Sequence, residues 1–176
     1  MSEPGPGASD HEKAFANLVH QAKSRGLSIG AAESLTGGLF GYLLTREEGA
    51  GEVFRGSLVT YQTAVKRTLL GVEGPVITGQ AASQMADAAL STLNCDVCVG
   101  LTGVAGPDTQ EDVDVGNVFI GVASRSGELE SQHFHFDGDP DTVRHKAAAM
   151  AAELALTRVN SLPRANSGER KTASNA

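Results

Sequence analysis

Basic residues are scarce: 14 Lys and Arg stand against 21 Asp and Glu in 176 residues, a formal charge of −7. That balance excludes a general nucleic-acid binder, which needs a basic face. A small anionic ligand remains open, because it needs only a local positive site. Cysteine is scarcer still. Cys95 and Cys98 stand alone, too few for a disulfide framework, which fits a reducing cytoplasm. Cys-Asp-Val-Cys reads as C-x-x-C, but residues 96–101 are strand-like, and on a strand residues three apart point to opposite faces. The sulfurs are therefore expected as separate buried thiols. With no second cysteine pair, no zinc site is expected. No apolar run approaches the ~20 residues of a membrane helix, and residues 1–10 lack both the basic and the apolar parts of a signal peptide. The expectation is a soluble cytoplasmic protein with no membrane partner.

Hydrophobic residues at 40% and charged residues at 20% are ordinary for a globular chain, and the length suits one domain with a real core. Gly, Pro and Ser mark residues 1–9 as a disordered lead, and polar residues mark 161–176 as a disordered tail, leaving a folded domain over 10–160. Within it, Ala14, Leu18 and Ala22 recur at helical spacing until Gly26. Residues 27–32 form a short apolar segment, followed by an apolar helix to about Leu44. Alternation predicts a strand over 53–61. A helix follows over 63–70, closed by Gly71. Thr78 opens another, with Ala82, Met85, Ala89 and Leu93 on one face. A strand over 97–102 precedes an acidic loop. Residues 117–123 and 130–136 read as a hairpin turning at Ser126-Gly127, and a helix over 139–159 closes the domain. Crossover-linked and hairpin-linked strands together imply an α/β fold, a three-layer α/β/α sandwich with a mixed β-sheet. No internal repeat is present.

Several motifs are missing. No G-x-G-x-x-G announces a dinucleotide site, and Ala32 and Thr36 occupy the glycine positions of a G-x-S-x-G elbow around Ser34. The stretch Ala32-Glu33-Ser34-Leu35-Thr36-Gly37-Gly38 is nonetheless a strand end turning into a helix, where open α/β sheets place ligands. Thr36 can cap the helix. Gly37 and Gly38 let backbone N–H groups approach an anion, aided by the helix dipole. Ser34 is placed to act as a nucleophile, although Ser and Thr here also suit plain helix capping.

A serine needs a base, and none of His11, His20, His133, His135 and His145 stands out as one. His133 and His135 share a strand face but find no third ligand in reach, so a surface ladder is expected and no metal. Lys66 is the other candidate base, provided burial lowers its pKa. Its position beside Arg67 suits a solvated lysine equally. Tyr61 and Lys66 are five apart, so they do not form the Tyr-x-x-x-Lys pair of short-chain dehydrogenases. Thr102-Gly103-Val104-Ala105-Gly106-Pro107 is a second glycine-rich strand end, fit for an oxyanion hole or a phosphate contact. Arg144 could clamp a phosphate.

Read in order, Glu33-Ser34-Leu35-Thr36-Gly37-Gly38, Val59-Thr60-Tyr61 with Lys66, Leu70-Gly71-Val72, Met85-Ala86, Thr102 to Pro107, Val115-Gly116 and Gly138-Asp139 with Arg144 resemble one known set. It is the C-terminal domain of the CinA competence/damage-inducible family, whose stand-alone members are nicotinamide-nucleotide amidases. The resemblance spans about residues 10–160. It implies a three-layer sandwich, a homo-oligomer, no cofactor and no metal. The implied reaction is hydrolysis of nicotinamide mononucleotide to nicotinic acid mononucleotide and ammonia, a step of pyridine-nucleotide recycling. By position, Ser34 is then the nucleophile, Lys66 and Tyr61 activate it, and Thr102 holds the reacting centre. Gly37, Gly38 and Arg144 face the nucleotide, with Glu33, Thr36, Gly103 and Gly106 in the same substrate-binding set. The N-terminal domain of larger members, linked to ADP-ribose pyrophosphatase activity, has no counterpart here, so that activity is not expected.

The chain also departs from the family pattern. Leu35 stands where cysteine is usual, Gln62-Thr63 where Ser-Asn is usual, and Pro140 where an arginine is usual. Residues 108–114, usually glycine-rich and ending in lysine, carry no glycine, no lysine and four carboxylates. If that loop lies near the site, phosphate binding weakens and the substrate shifts or activity falls; if it points to solvent, nothing changes. The alternative function is a catalytically silent homologue that binds a nucleotide or a partner.

Overall fold

The computed structural model describes residues 10–165. The expected lead, 1–9, and residues 166–176 of the expected tail lie outside the described residues. Helix α1 (Asp10–Arg25) buries Ala14, Phe15, Leu18, Val19 and Ala22 along one stripe. It ends at Gly26, where the Gly26 N–H donates to Lys23 O and the Leu27 N–H to Ala22 O.

Five strands follow: β1 (Ile29–Glu33), β2 (Phe54–Val59), β3 (Val97–Gly103), β4 (Asn117–Ser124) and β5 (Leu129–His135). They form one sheet in the order β2-β1-β3-β4-β5. β1 runs parallel to both neighbours, while β3–β4 and β4–β5 are antiparallel. The sheet is mixed, as expected. Helices α1, α2 (Leu39–Thr45), α3 (Ala50–Val53) and α6 (Pro140–Ser161) cover one face; α4 (Thr63–Leu70) and α5 (Gly79–Leu93) cover the other. The three layers follow from the strand period of two. Ile29, Ala31, Val97, Val99 and Leu101 enter the core under α1 and α6, whereas Ala32 and Cys98 enter the core under α5.

Local signals place the elements well. Thr78 Oγ1 accepts from the Ala81 N–H and caps α5, Asp139 accepts from the Thr142 N–H and caps α6, and Gly71 ends α4 in the left-handed region. The second strand is shorter than expected. Residues 50–53 form α3 instead, so Val53 enters the core from a helix and β2 starts at Phe54. Of the segment expected as tail, Leu162 is buried, its carbonyl accepts from Arg25 Nη1, and the Ala165 N–H donates to Arg25 O. Arg158, almost fully buried, ties α6 to the hairpin through Glu128 and Glu130, with Nη2 at 2.7 Å from Glu130 Oε1.

The cysteines correct an expectation. Cys95 precedes β3, behind Asn94 with φ 47°, so strand alternation does not reach it. Its sulfur lies 3.3 Å from Cys98 Sγ, and both residues are buried. Burial, with Cys95 beside it, raises the Cys98 thiol well above its usual range. The histidines on β5 each have a separate partner. His133 stacks on Phe119 and bonds Asn117 Oδ1 at 2.8 Å, and His135 lies 3.4 Å from Asp137.

α5 rests directly on glycines of the sheet. A Cβ at Gly100 would sit 2.2 Å from the Ala82 carbonyl oxygen and 2.7 Å from the Ala86 nitrogen; one at Gly121 would sit 2.3 Å from that same oxygen. Both contacts are with helix backbone, which cannot swing aside. Gly100→Ala is therefore expected to destabilise the fold by about 3 kcal/mol, read as a lowered urea midpoint. An unchanged midpoint would show that the α5–sheet contact is looser than described.

Candidate active site

The C-terminal ends of the three parallel strands converge, as doubly wound sheets require of a ligand site. Ser34 follows β1, Tyr61 follows β2 by two residues, and Gly103 ends β3. These three line one cleft of about 310 Å³ together with Leu35, Gly106 and Asp108. Ser34 is 5% exposed. Its N–H donates to Leu101 O and its carbonyl accepts from the Gly37 N–H, which fixes the turn. Gly37 and Gly38 take φ values of 59° and 101° in succession. A Cβ at Gly37 would meet nothing, so the requirement there is conformational.

Among the described residues, Ser34 Oγ makes no hydrogen bond within the protein, and the N–H groups of Leu35, Ala105 and Gly106 have no protein acceptor. All four residues line the cleft. A free hydroxyl beside uncommitted N–H donors is what acyl chemistry needs: a nucleophile and a place for the developing oxyanion.

Lys66 is buried on α4, one turn behind Tyr61, and its Nζ donates to Tyr61 O at 3.3 Å. It does not line the cleft. Desolvation lowers its pKa, opposed by the nearby Glu111 carboxylate. The solvated alternative is thereby excluded. Tyr61 is 62% exposed.

Several expected substrate contacts are spent inside the protein. Glu33 is fully buried. Its Oε2 accepts from Thr36 Oγ1 at 2.8 Å, the Gly38 N–H at 3.1 Å and the Phe40 N–H at 3.0 Å, and its Oε1 accepts from the Gly41 N–H at 3.0 Å. Glu33 thus caps α2 from within, the role expected of Thr36. Of the two donors expected to meet a phosphate, the Gly38 N–H meets this carboxylate instead and the Gly37 N–H meets Ser34 O. Thr102 is also fully buried, and its hydroxyl donates to Val76 O at 2.6 Å, tying β3 to the segment before α5 and not to a reacting centre. Arg144 Nε donates to Leu35 O at 3.0 Å, and Nη1 lies 3.9 Å from Asp141. It braces the Ser34 turn from behind.

The acidic loop is at the site. Asp108 and Gln110 line the cleft. Glu111 and Asp112 take φ values of 51° and 59°, closing a tight turn in which Gln110 and Val113 exchange both backbone bonds. Glu111 Oε2 accepts from the Val76 N–H at 3.0 Å and pins the turn to the body. Sequence reading left this position open, because two non-glycine residues at positive φ give no strong local signal. Thr60, named in the sequence only within the Val59-Thr60-Tyr61 motif and given no role there, is fully buried with no partner for its hydroxyl.

Known proteins agree with this architecture. The family model for the CinA C-terminal domain matches residues 11–159. A competence-damage inducible protein of Pediococcus pentosaceus is 42% identical over 136 residues, 74% of this chain and 33% of that protein. One of Bacillus subtilis is 39% identical over 140 residues, 76% of this chain and 33% of that protein. The chain spans about a third of the length of these relatives. Among solved structures, the competence/damage inducible protein CihA of Agrobacterium tumefaciens superposes with a TM-score of 0.81 at 29% identity, covering 90% of this chain and 99% of that one. The strand order, the Ser34 turn and these matches together make the chain a member of the CinA C-terminal domain family.

Proposed function

We propose that the chain is a serine-type amidohydrolase acting on the carboxamide of a nicotinamide-bearing substrate, nicotinamide mononucleotide in the reaction the family implies. The observation that carries this reading is the unbonded Ser34 hydroxyl in a cleft beside three uncommitted N–H groups. Ser34 Oγ adds to the carboxamide carbon as its proton passes to the base. The oxyanion takes hydrogen bonds from the N–H of Leu35 and of Ala105 or Gly106. Collapse expels ammonia, the base returning its proton to the leaving nitrogen. Water, deprotonated by the same base, then cleaves the Ser34 ester and releases the carboxylate. Lys66 suits this base better than Tyr61, because burial favours its neutral amine. Neither a metal nor a cofactor enters these steps.

A silent binding homologue is the second reading. It is favoured by one observation: Lys66 Nζ bonds Tyr61 O and not Ser34 Oγ. Ammonia release by the purified protein separates the two. The amidase reading expects turnover whose kcat/KM rises with pH through the lowered Lys66 pKa, because the neutral amine is the active form. Stability moves the same way. Between the lowered folded value and the ordinary 10.5, the unfolded chain binds more protons, so stability rises with pH across that window. Nucleotide binding without ammonia would leave only the binding homologue.

We further read the protein as a cytoplasmic homo-oligomer working on small molecules and not on nucleic acid. Val65 and Leu69 on α4, with Tyr61 just before it, expose apolar surface that suits self-association. No helix among the described residues is long and apolar enough to cross a membrane.

A further inference from the structure

We infer that the cleft selects a pyridinium carboxamide without a phosphate, the size of a nucleoside or smaller, over the corresponding nucleotide. The inference rests on the amidase reading for the identity of the ring. The cleft lining holds no lysine or arginine, and its one charged residue is Asp108. The two cations expected at the site are committed elsewhere. Lys66 is buried against Tyr61 O, and Arg144 braces Leu35 O with Asp141 beside it. The start of α2, where an anion would otherwise dock, already holds the Glu33 carboxylate on the N–H groups of Gly38, Phe40 and Gly41.

The negative field at the mouth is built in. Gln110 and Val113 close the loop and Glu111 fastens it to the Val76 N–H, so Asp108 is held at the cleft, and Glu111, Asp112 and Asp114 are exposed on the same loop. A phosphate entering here meets carboxylates with no counter-charge on the lining. A ring carrying a positive nitrogen is attracted by the same carboxylates.

Nicotinamide riboside and nicotinamide mononucleotide differ only in the phosphate and so isolate the effect. Ammonia release is measured for each, and the affinity of each for Ser34→Ala is measured by calorimetry. At low ionic strength the riboside is expected to be favoured about tenfold in both kcat/KM and affinity, and added salt should shrink the ratio. Asp108→Lys should move the ratio about tenfold toward the mononucleotide. A wild type that favours the mononucleotide, or a ratio unmoved by Asp108→Lys, overturns the inference and leaves the amidase reading standing. No ammonia from either compound sinks the amidase reading, and the binding ratio then still decides the selectivity.

Discussion

Ser34→Ala is expected to lower kcat for ammonia release by at least about a thousandfold, the usual consequence of removing a covalent nucleophile. The fold should be indifferent to the change. Ser34 Oγ has no protein partner among the described residues, so its loss leaves no buried donor or acceptor unpaired. The backbone bonds that hold the turn, from Ser34 N to Leu101 O and from Gly37 N to Ser34 O, do not involve the side chain. A shift in unfolding free energy within about 0.5 kcal/mol is expected. Turnover that survives in Ser34→Ala with an unchanged melting curve would defeat the nucleophile assignment. Collapse of both together would instead show that the hydroxyl is structural.

Glu33→Ala should do the reverse, damaging the fold first. The carboxylate is buried and answers four donors at once, three of them backbone N–H groups at the start of α2. Removing it strands these donors, each of which costs about 1–3 kcal/mol when left unpaired. Relaxation and water entry recover part of that cost. A net loss of about 4 kcal/mol is expected, or roughly 10 °C in melting temperature for a chain of this size. Glu33→Gln keeps the shape but turns an amide nitrogen toward one or more of the same donors, so it should fall between alanine and wild type. A Glu33→Ala protein that melts within about 2 °C of wild type would remove Glu33 as the anchor of the Ser34 turn.

What was legible in the chain was what neighbours in sequence decide. The helix over 63–70 ends at Gly71 because a left-handed cap needs glycine, and α5 and α6 start at Thr78 and Asp139 because their side chains cap their own first turns. The hairpin turns at Ser126-Gly127, with Gly127 at φ 89°. That Ser34 and Gly103 sit at strand ends was legible because strand ends with glycine announce themselves, and both line the cleft. By contrast, α3 is four residues with no period to read, and the Cys95–Cys98 contact depends on one left-handed residue, Asn94. Thr102 carries the same hydroxyl whether it faces a substrate or Val76 O, and only the path of the segment before α5 decides which.

The sequence by itself determined the layered α/β fold, the family, and a serine-bearing turn at the end of the first strand. Those follow from patterning and capping within a few residues of each other. Only the tertiary structure decided which charges reach the cleft. Scarce basic residues and a surplus of seven carboxylates were visible at once, but a net charge has no position. Folding placed Asp108 on the cleft wall, turned Glu33 inward onto the helix start, and drew Lys66 and Arg144 behind the lining. Electrostatic selection depends on distance and burial, and both are set by contacts between segments far apart in the chain.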